Sequence, residues 1–256
     1  MLSPDDPASR VILLAVFAGL IVVLVYRAVR KNRNEFQRFK RFERTRNRQR
    51  MMRKWLVDFL AIFGGATVVI LLLAWQFVPL LQKEVDHWPI GLWWRSLLAD
   101  TGGLLPGMAT ALAVALVGGT IAAVALARRS ESVPTIGDIG ALLPRNRPEL
   151  VFGVLLSVNA GVVEELLFRL ALPALIFGAT GSAPTALIGA VLLFGVLHFY
   201  QGWPGIVGAT VIGALLMVLY LATGSILVAI VAHALIDLRS LVLIPMLVFR
   251  VQKVRA

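Results

Sequence analysis

Long apolar runs, separated by short polar stretches, dominate this sequence of 256 residues. The first run extends from about Val11 to Val29, and the whole chain is 59% hydrophobic and 15% charged, with a mean hydropathy of +0.84. Inside a bilayer the backbone must satisfy its hydrogen bonds within the segment, which a helix of about 20 residues does. The sequence therefore predicts an all-α fold, a polytopic transmembrane helical bundle with about seven to eight membrane spans.

Seven apolar stretches are candidate spans, at about 11–29, 55–81, 104–127, 150–177, 185–199, 206–223 and 225–249. The second is predicted to end near Pro79, because proline lacks the backbone N–H that continues a helix. The last stretch is compatible either with one long tilted helix or with a span followed by a short, incomplete one.

Residues 130–149 are predicted to connect two parts of the molecule. This stretch contains Pro134, Pro144 and Pro148, which argue against one continuous helix. We therefore expect residues 1–149 to form N-terminal spans with a basic cytoplasmic segment, and residues 150–256 to form a C-terminal helical core.

The segment Arg27–Lys54 carries about half of the basic residues of a chain whose net charge is +11. Membrane proteins retain positive charge on the cytoplasmic side, so the segment indicates a cytoplasmic location. Nucleic-acid binding is not predicted, because no nucleic-acid-reading motif occurs. The N-terminus is then outside, and the C-terminus, with Arg250, Lys253 and Arg255, is cytoplasmic. The arginine-rich, cysteine-free composition favours a bacterial inner (cytoplasmic) membrane.

Phe36, Phe39 and Phe42 recur at every third position within this basic segment. The spacing predicts a helix on the membrane surface, with its rings toward the lipid and its guanidinium groups toward anionic headgroups. A docking surface for a partner is the alternative.

The last four predicted spans contain ionisable residues, namely Glu164, Glu165, Arg169, His198, His233, Asp237 and, near one end, Arg239. Each intramembrane charge costs about 2.5–3.5 kcal/mol on insertion scales, so such residues face a bundle interior or a wet cavity and mark a functional site. Glu165 and Arg169 are four residues apart and are predicted to form an ion pair. Glu164 points about 100° away on the helix and needs other partners. His233 and Asp237 share one helical face.

A carboxylate and a histidine can activate water together, either directly as general bases or as metal ligands with one position left open. Glu164, His198 and His233 are the candidate ligands for a metal-dependent reaction, so the expected cofactor is none or zinc. The second histidine, beside Asp237, can hold an oxyanion. These residue types together indicate hydrolysis.

The depth of these residues in the membrane limits how they can meet. Glu164 lies about 21 Å from Leu150 along a helix that rises ~1.5 Å per residue, whereas His198 lies close to the cytoplasmic end of its span. The two reach one site only if the fourth helix begins below the membrane or the Tyr200–Gly205 turn dips inward. We therefore expect a wet cavity that opens toward the cytoplasm.

The polar residues also resemble the motifs of a known family. Three motifs occur in order within residues 150–240, namely Glu164-Glu165-x-x-x-Arg169, Phe194-x-x-x-His198 and His233-x-x-x-Asp237. They resemble those of the CPBP intramembrane proteases, which include the CAAX prenyl endopeptidases of the Rce1 type and bacterial Abi-type membrane proteins. The resemblance implies an all-helical, CAAX-protease-like membrane endopeptidase. That family has been described both as metalloprotease-like and as a glutamic-type intramembrane protease.

The resemblance also implies roles for individual residues. Glu164 and His198 would activate the water, and His233 with Asp237 would stabilise the tetrahedral oxyanion. Glu165 is a further catalytic candidate.

Arg169, with Glu165, would support the motif helix. The chain departs from the family pattern at two positions: Asp237 stands where the prenyl-protein branch usually has asparagine, and Leu170 stands where many relatives have glycine. An ionised carboxylate cannot donate to an oxyanion, but it is a good metal ligand or partner for a histidine.

The sequence thus predicts an endopeptidase whose partners are a membrane-anchored protein or peptide and the lipid bilayer, without nucleic acid. Two other classes also place charges within spans: a proton- or ion-coupled transporter and a noncatalytic membrane scaffold. The motifs of intramembrane serine, aspartyl and His-Glu-x-x-His zinc proteases do not occur in the sequence. The oligomeric state has no sequence signal.

Overall fold

The computed structural model describes residues 2–89, 104–130 and 139–254, together with Leu92 and Ser96. This part of the chain is helical and contains no strand. The main helices are α1 (Pro7–Lys40), α2 (Thr45–Ala74), α3 (Phe77–Asp86), α4 (Leu104–Ser130), α5 (Arg147–Thr180), α6 (Ala183–Val196), α7 (Trp203–Thr223) and α8 (Ile226–Val248). Pro134, one of the three prolines that predict a connection at residues 130–149, lies outside the described residues.

Five of these helices are long and apolar enough to cross a membrane: α1, α2, α5, α7 and α8. Shorter apolar helices occur at Thr110–Leu126 within α4 and in α6. Large apolar side chains such as Val11 and Leu227 are exposed on the outer faces of the bundle, where lipid would cover them. The predicted all-α polytopic bundle is confirmed, and the last apolar stretch forms one helical run.

Two predicted helix ends were wrong. The second span ends at Ala74, and Pro79 lies in the first turn of α3, where a missing N–H leaves no hydrogen bond unmade. Helix α6 ends at Val196, so His198 lies in the turn that follows it. Gly202 then adopts a φ of 79°, which favours glycine, and the chain enters α7.

The basic segment packs against the protein itself. Phe36 and Phe39 are both 0% exposed and form a cluster with Met52 and Trp55. The prediction that these rings face the lipid was therefore wrong. An aromatic residue in every third position fits a lipid-facing and a protein-facing helix equally well, because both environments are apolar.

A buried ion pair joins the basic segment to the start of α5. Nε of Arg48 donates to both carboxylate oxygens of Glu149, at 3.0 and 3.1 Å, and both side chains are fully buried. Asn146 caps α5 by accepting from the N–H of Glu149, and its own amide donates to Thr45 at 2.8 Å. These contacts position the N-terminal segment beside the C-terminal core.

Helix α5 contains a wide, π-helical turn at Leu166–Ala171, after the acidic motif. The N–H of Leu172 bonds to the carbonyl of Leu167, five residues back. Pro173, which follows, has no N–H to donate, and a wide turn accommodates such an interruption. At ~1.5 Å per residue the 34 residues of α5 measure about 51 Å, more than a hydrocarbon core of about 30 Å. The helix is therefore longer than the hydrocarbon core, and the expectation that it begins below the membrane stays a prediction.

Candidate active site

The close approach of α5 and α8 creates the site. At Gly161 an added Cβ would lie 2.9 Å from Cβ of Ala234, so only glycine allows the two backbones this near. Small residues at helix crossings are the usual means of close packing in membranes. The contact brings the acidic motif of α5 against His233 of α8.

Glu165 binds His233 directly. The two side chains meet at 2.7 Å, between Oε1 of Glu165 and Nδ1 of His233, and the carboxylate is fully buried. A carboxylate accepts hydrogen bonds, so Nδ1 carries the proton and donates it to this contact. The other oxygen of Glu165 lies 3.1 Å from Nε of Arg169, which confirms the predicted local ion pair. The guanidinium of Arg169 also lies over the ring of Phe194, 5.0 Å from its centroid.

The remaining nitrogen of His233 faces two carboxylates. Nε2 lies 3.8 Å from Oε2 of Glu164 and 3.9 Å from Oδ2 of Asp237. Both distances exceed a direct hydrogen bond and leave room for an oxygen atom that could contact more than one of these groups. Glu164 is therefore near His233, and it shares the cavity wall with His198.

His198 arrives from the end of α6. Its Nδ1 lies 2.8 Å from the carbonyl oxygen of Phe194, and a carbonyl only accepts, so Nδ1–H is the donor. In the neutral ring Nε2 is then the basic nitrogen. The ring of Phe194 lies between the two histidines, 4.9 Å from that of His198 and 6.1 Å from that of His233.

One cavity of about 520 Å³ contains the predicted polar site. Its wall includes four of the predicted residues, namely Glu164, His198, His233 and Asp237. Glu165 and Arg169 do not line it, and they lie behind His233. The remaining wall is mainly apolar and includes Trp55 and Phe59 of α2. Catalytic-type groups from three helices thus share a cavity suited to a hydrophobic ligand.

Sequence reasoning missed several residues of this wall. Asn159, one turn and a half before Glu164, and Tyr200, two residues after His198, both line the cavity. The positions of Asn159 and Tyr200 near the motifs were a signal that could have identified them, whereas nothing local predicted the contribution of Trp55. Arg239, which the sequence already placed among the ionisable residues of the last spans, also lines the cavity, and its Nε donates to Thr120 of α4 at 3.0 Å.

The tentative metal site has no matching arrangement in the structure. Among the described residues, no group of three or more His, Asp or Glu side chains is placed to hold a metal ion. Nδ1 of His233 is used by Glu165, and its Nε2 is nearly 4 Å from the two carboxylates it faces.

A membrane-embedded helical bundle with carboxylates and histidines around one cavity has the properties of an intramembrane hydrolase. Residues 146–239, which include all of the predicted site residues, match the family model described as type II CAAX prenyl endopeptidase Rce1-like. These residues form an Rce1-like domain, which indicates a CAAX-protease-like intramembrane endopeptidase, and this domain together with the long apolar helices supports an integral membrane protein. No curated protein and no solved structure matches the chain. The division of the chain at residue 149 stays a prediction.

Proposed function

We propose that the chain hydrolyses a peptide bond in a membrane-anchored protein or peptide by a glutamic-type mechanism, with Glu164 as the general base. The observation that supports this most directly is the shared cavity: Glu164, His198, His233 and Asp237 line it from three separate parts of the chain. Hydrolysis of a peptide bond requires a base that activates water and donors that stabilise the oxyanion. In this proposal Glu164 with His198 meets the first requirement, and His233 with Asp237 meets the second.

In this mechanism Glu164 and His198 orient a water molecule, and the water oxygen attacks the peptide carbonyl carbon as Glu164 takes its proton. Nε2–H of protonated His233 and the protonated carboxyl of Asp237 donate to the oxyanion. Collapse of the tetrahedral intermediate breaks the C–N bond, and the proton held by Glu164 passes to the leaving amine. Glu165 acts as a positioning residue, because it holds Nδ1 of His233 and does not reach the cavity.

Glu164→Gln and His198→Ala test this proposal. We expect each to lower kcat for a quenched fluorogenic peptide by about 10²- to 10⁴-fold, the range for loss of a general base. Glu84→Gln and His87→Ala are matched controls, because both residues are exposed and lie outside the cavity. Thermal unfolding must be unchanged in all four variants. Cleavage that persists in both site variants would show that the mechanism is wrong, and proton-coupled solute flux into vesicles would favour a carrier.

We propose that membrane attachment of the substrate matters more than a particular prenyl group. The largely apolar cavity supports this, as does Asp237 at a position where the prenyl-protein branch usually has asparagine. A peptide with a prenylated CAAX sequence should be compared with the same peptide anchored by a single apolar helix and with an unanchored version. We expect both anchored forms to be cleaved. Cleavage of the prenylated form alone would narrow the substrate to prenylated tails.

We further propose a bacterial inner-membrane orientation with the N-terminus outside and the C-terminus cytoplasmic. Arg41, Arg44 and Arg46 are exposed, so they remain able to contact anionic headgroups although the nearby phenylalanines are buried. The chain contains no cysteine, so a single Asn159→Cys variant at a half-buried position in the cavity wall reports access to the cavity. A membrane-impermeant thiol reagent should label it only from the cytoplasmic side. Labelling from the outside alone would reverse the orientation.

A further inference from the structure

The N-terminal segment, which precedes the Rce1-like domain, is linked to the catalytic candidate His198 through two aromatic rings. The ring of Phe36 meets that of Tyr200 edge-on, with centroids 5.3 Å apart and planes at 74°. Tyr200 in turn lies nearly parallel to His198, at 6.1 Å and 28°. Edge-to-face and offset parallel contacts are the favoured arrangements of aromatic rings. Phe36, Tyr200 and His198 therefore form a continuous series of rings.

His198 requires such support because of its place in the chain. It lies beyond the end of α6, in a turn that precedes the short helix Phe199–Gln201, where the backbone lacks a full helical hydrogen-bond pattern. Its Nδ1 is fixed by the carbonyl of Phe194 on one side. Tyr200 contacts the ring from another side, so the orientation of Nε2 depends on where Tyr200 lies.

The Phe36 end of this series is buried, and polar contacts of neighbouring residues hold it in place. Phe36 is 0% exposed, and its neighbour Glu35 accepts from Nε1 of Trp55 at 2.7 Å and from Nζ of Lys54 at 2.7 Å. The buried Arg48–Glu149 ion pair fixes the same segment to the start of α5. Phe36 is thus held to the C-terminal core by contacts independent of its own ring.

We propose that Phe36 is a positioning residue of the active site, which orients His198 through Tyr200. The inference rests on the proposed role of His198 and extends the working site beyond the Rce1-like domain to a residue of the N-terminal part. Loss of the Phe36 ring would remove the edge contact to Tyr200, leave its hydroxyl bonded to Gln201 at 2.9 Å, and allow the Tyr200 ring and the imidazole beside it to rotate away from the water site. Because Phe36 does not itself line the cavity, its loss should affect kcat and leave KM close to its original value.

The test compares Phe36→Ala with Phe39→Ala. Both residues are fully buried in the same cluster, but the ring of Phe39 meets those of Trp55 and Phe42, whereas the ring of Phe36 meets that of Tyr200. We expect both variants to lower the melting temperature similarly, while Phe36→Ala alone lowers kcat by about tenfold or more, since an ångström-scale misplacement can cost 10²-fold. If either alanine variant fails to fold, the Phe36→Leu and Phe39→Leu pair replaces it, with the same order of kcat.

A double-mutant cycle completes the test. If Phe36 acts through Tyr200, adding Phe36→Ala to Tyr200→Ala should lower kcat no further. Equal kcat losses in Phe36→Ala and Phe39→Ala, or fully additive losses in the double variant, would overturn the inference. Glu164→Gln in the same assay separates the two proposals: an inactive Glu164→Gln with a fully active Phe36→Ala refutes the positioning role alone, whereas an active Glu164→Gln refutes the proposed function.

Discussion

Two buried Arg–Glu pairs in the described part of the chain differ in how completely their charges are satisfied. Arg48 donates to both oxygens of Glu149 and, through Nη2, to the carbonyls of Ala141 and Leu143 at 3.0 and 3.1 Å. Arg169 approaches Glu165 to 3.1 Å, yet its three guanidinium nitrogens make no well-aligned hydrogen bond within the described part of the chain. The first pair joins residues 101 positions apart, whereas the second lies on one helix.

The difference shows which pair serves stability and which serves the site. A buried pair is favourable only when further hydrogen bonds offset desolvation. Arg48 with Glu149 comes nearer to this condition, since Nη1 of Arg48 is the one buried polar atom of that pair without a hydrogen bond among the described residues. Glu165 makes its aligned bond to His233, so its charge is divided between the histidine and Arg169. We infer that the Arg48–Glu149 pair is a structural clamp, and that the Glu165–Arg169 pair retains a charge behind His233 at some cost in stability.

The largest effect is expected on stability from Arg48→Ala. This change leaves Glu149 buried without a counter-ion, and breaking a buried pair in this way costs about 3–5 kcal/mol. Thermal unfolding in detergent micelles measures the loss. The exposed Arg46→Ala is the matched control and should unfold like the unchanged protein. If Arg48→Ala unfolded at the same temperature as Arg46→Ala, the Arg48–Glu149 pair would not stabilise the fold.

Replacing each whole pair by apolar residues should separate stability from activity. We expect Arg48→Met with Glu149→Leu to recover most of the stability, because no unpaired charge remains, and to keep its activity. Arg169→Met with Glu165→Leu should also fold, but kcat should fall by about 10- to 100-fold, because Nδ1 of His233 loses the acceptor that orients the ring. The same kcat in the two double variants would show that the Glu165–Arg169 pair matters no more for activity than the Arg48–Glu149 pair.

The smallest effect is expected from metal chelation. Since no three His, Asp or Glu side chains of the described residues are placed to hold a metal ion, EDTA or phenanthroline should leave the cleavage rate unchanged. Added zinc should then produce no increase. A loss of activity that zinc restores would show that Glu164, His198 and His233 move together to bind a metal, and would replace the glutamic-type mechanism.

Much of this architecture could be predicted from local patterns. Apolar runs of sufficient length predicted the helices, and the four-residue spacing predicted the Glu165–Arg169 pair. The His233–Asp237 spacing likewise predicted a shared face, which the structure shows with Nε2 and Oδ2 3.9 Å apart. Each of these features depends on residues within one or two helical turns, where periodicity specifies the geometry.

The contacts that local patterns could not predict all join distant segments. The Glu165–His233 bond spans 68 positions, and the Arg48–Glu149 pair spans 101. The sequence also could not determine whether the phenylalanines of α1 face the lipid or the protein, because both environments are apolar. These arrangements follow from the packing of helices that are distant in the sequence. The Glu165–His233 bond in particular depends on the close approach at Gly161, and nothing in the local sequence distinguishes this glycine from the others.

The wide turn at Leu166–Ala171 gives the two halves of α5 separate angular registers. Its first half packs on α2 and α8 and carries the acidic motif, whereas its second half packs on α1 and α6. One residue in a regular α-helix corresponds to a rotation of about 100°. Removing a single residue from the wide turn would therefore rotate one half against the other, so that the acidic motif and the apolar half could not both face their present neighbours. The length of this turn therefore determines how the first half of α5 is rotated relative to its second half.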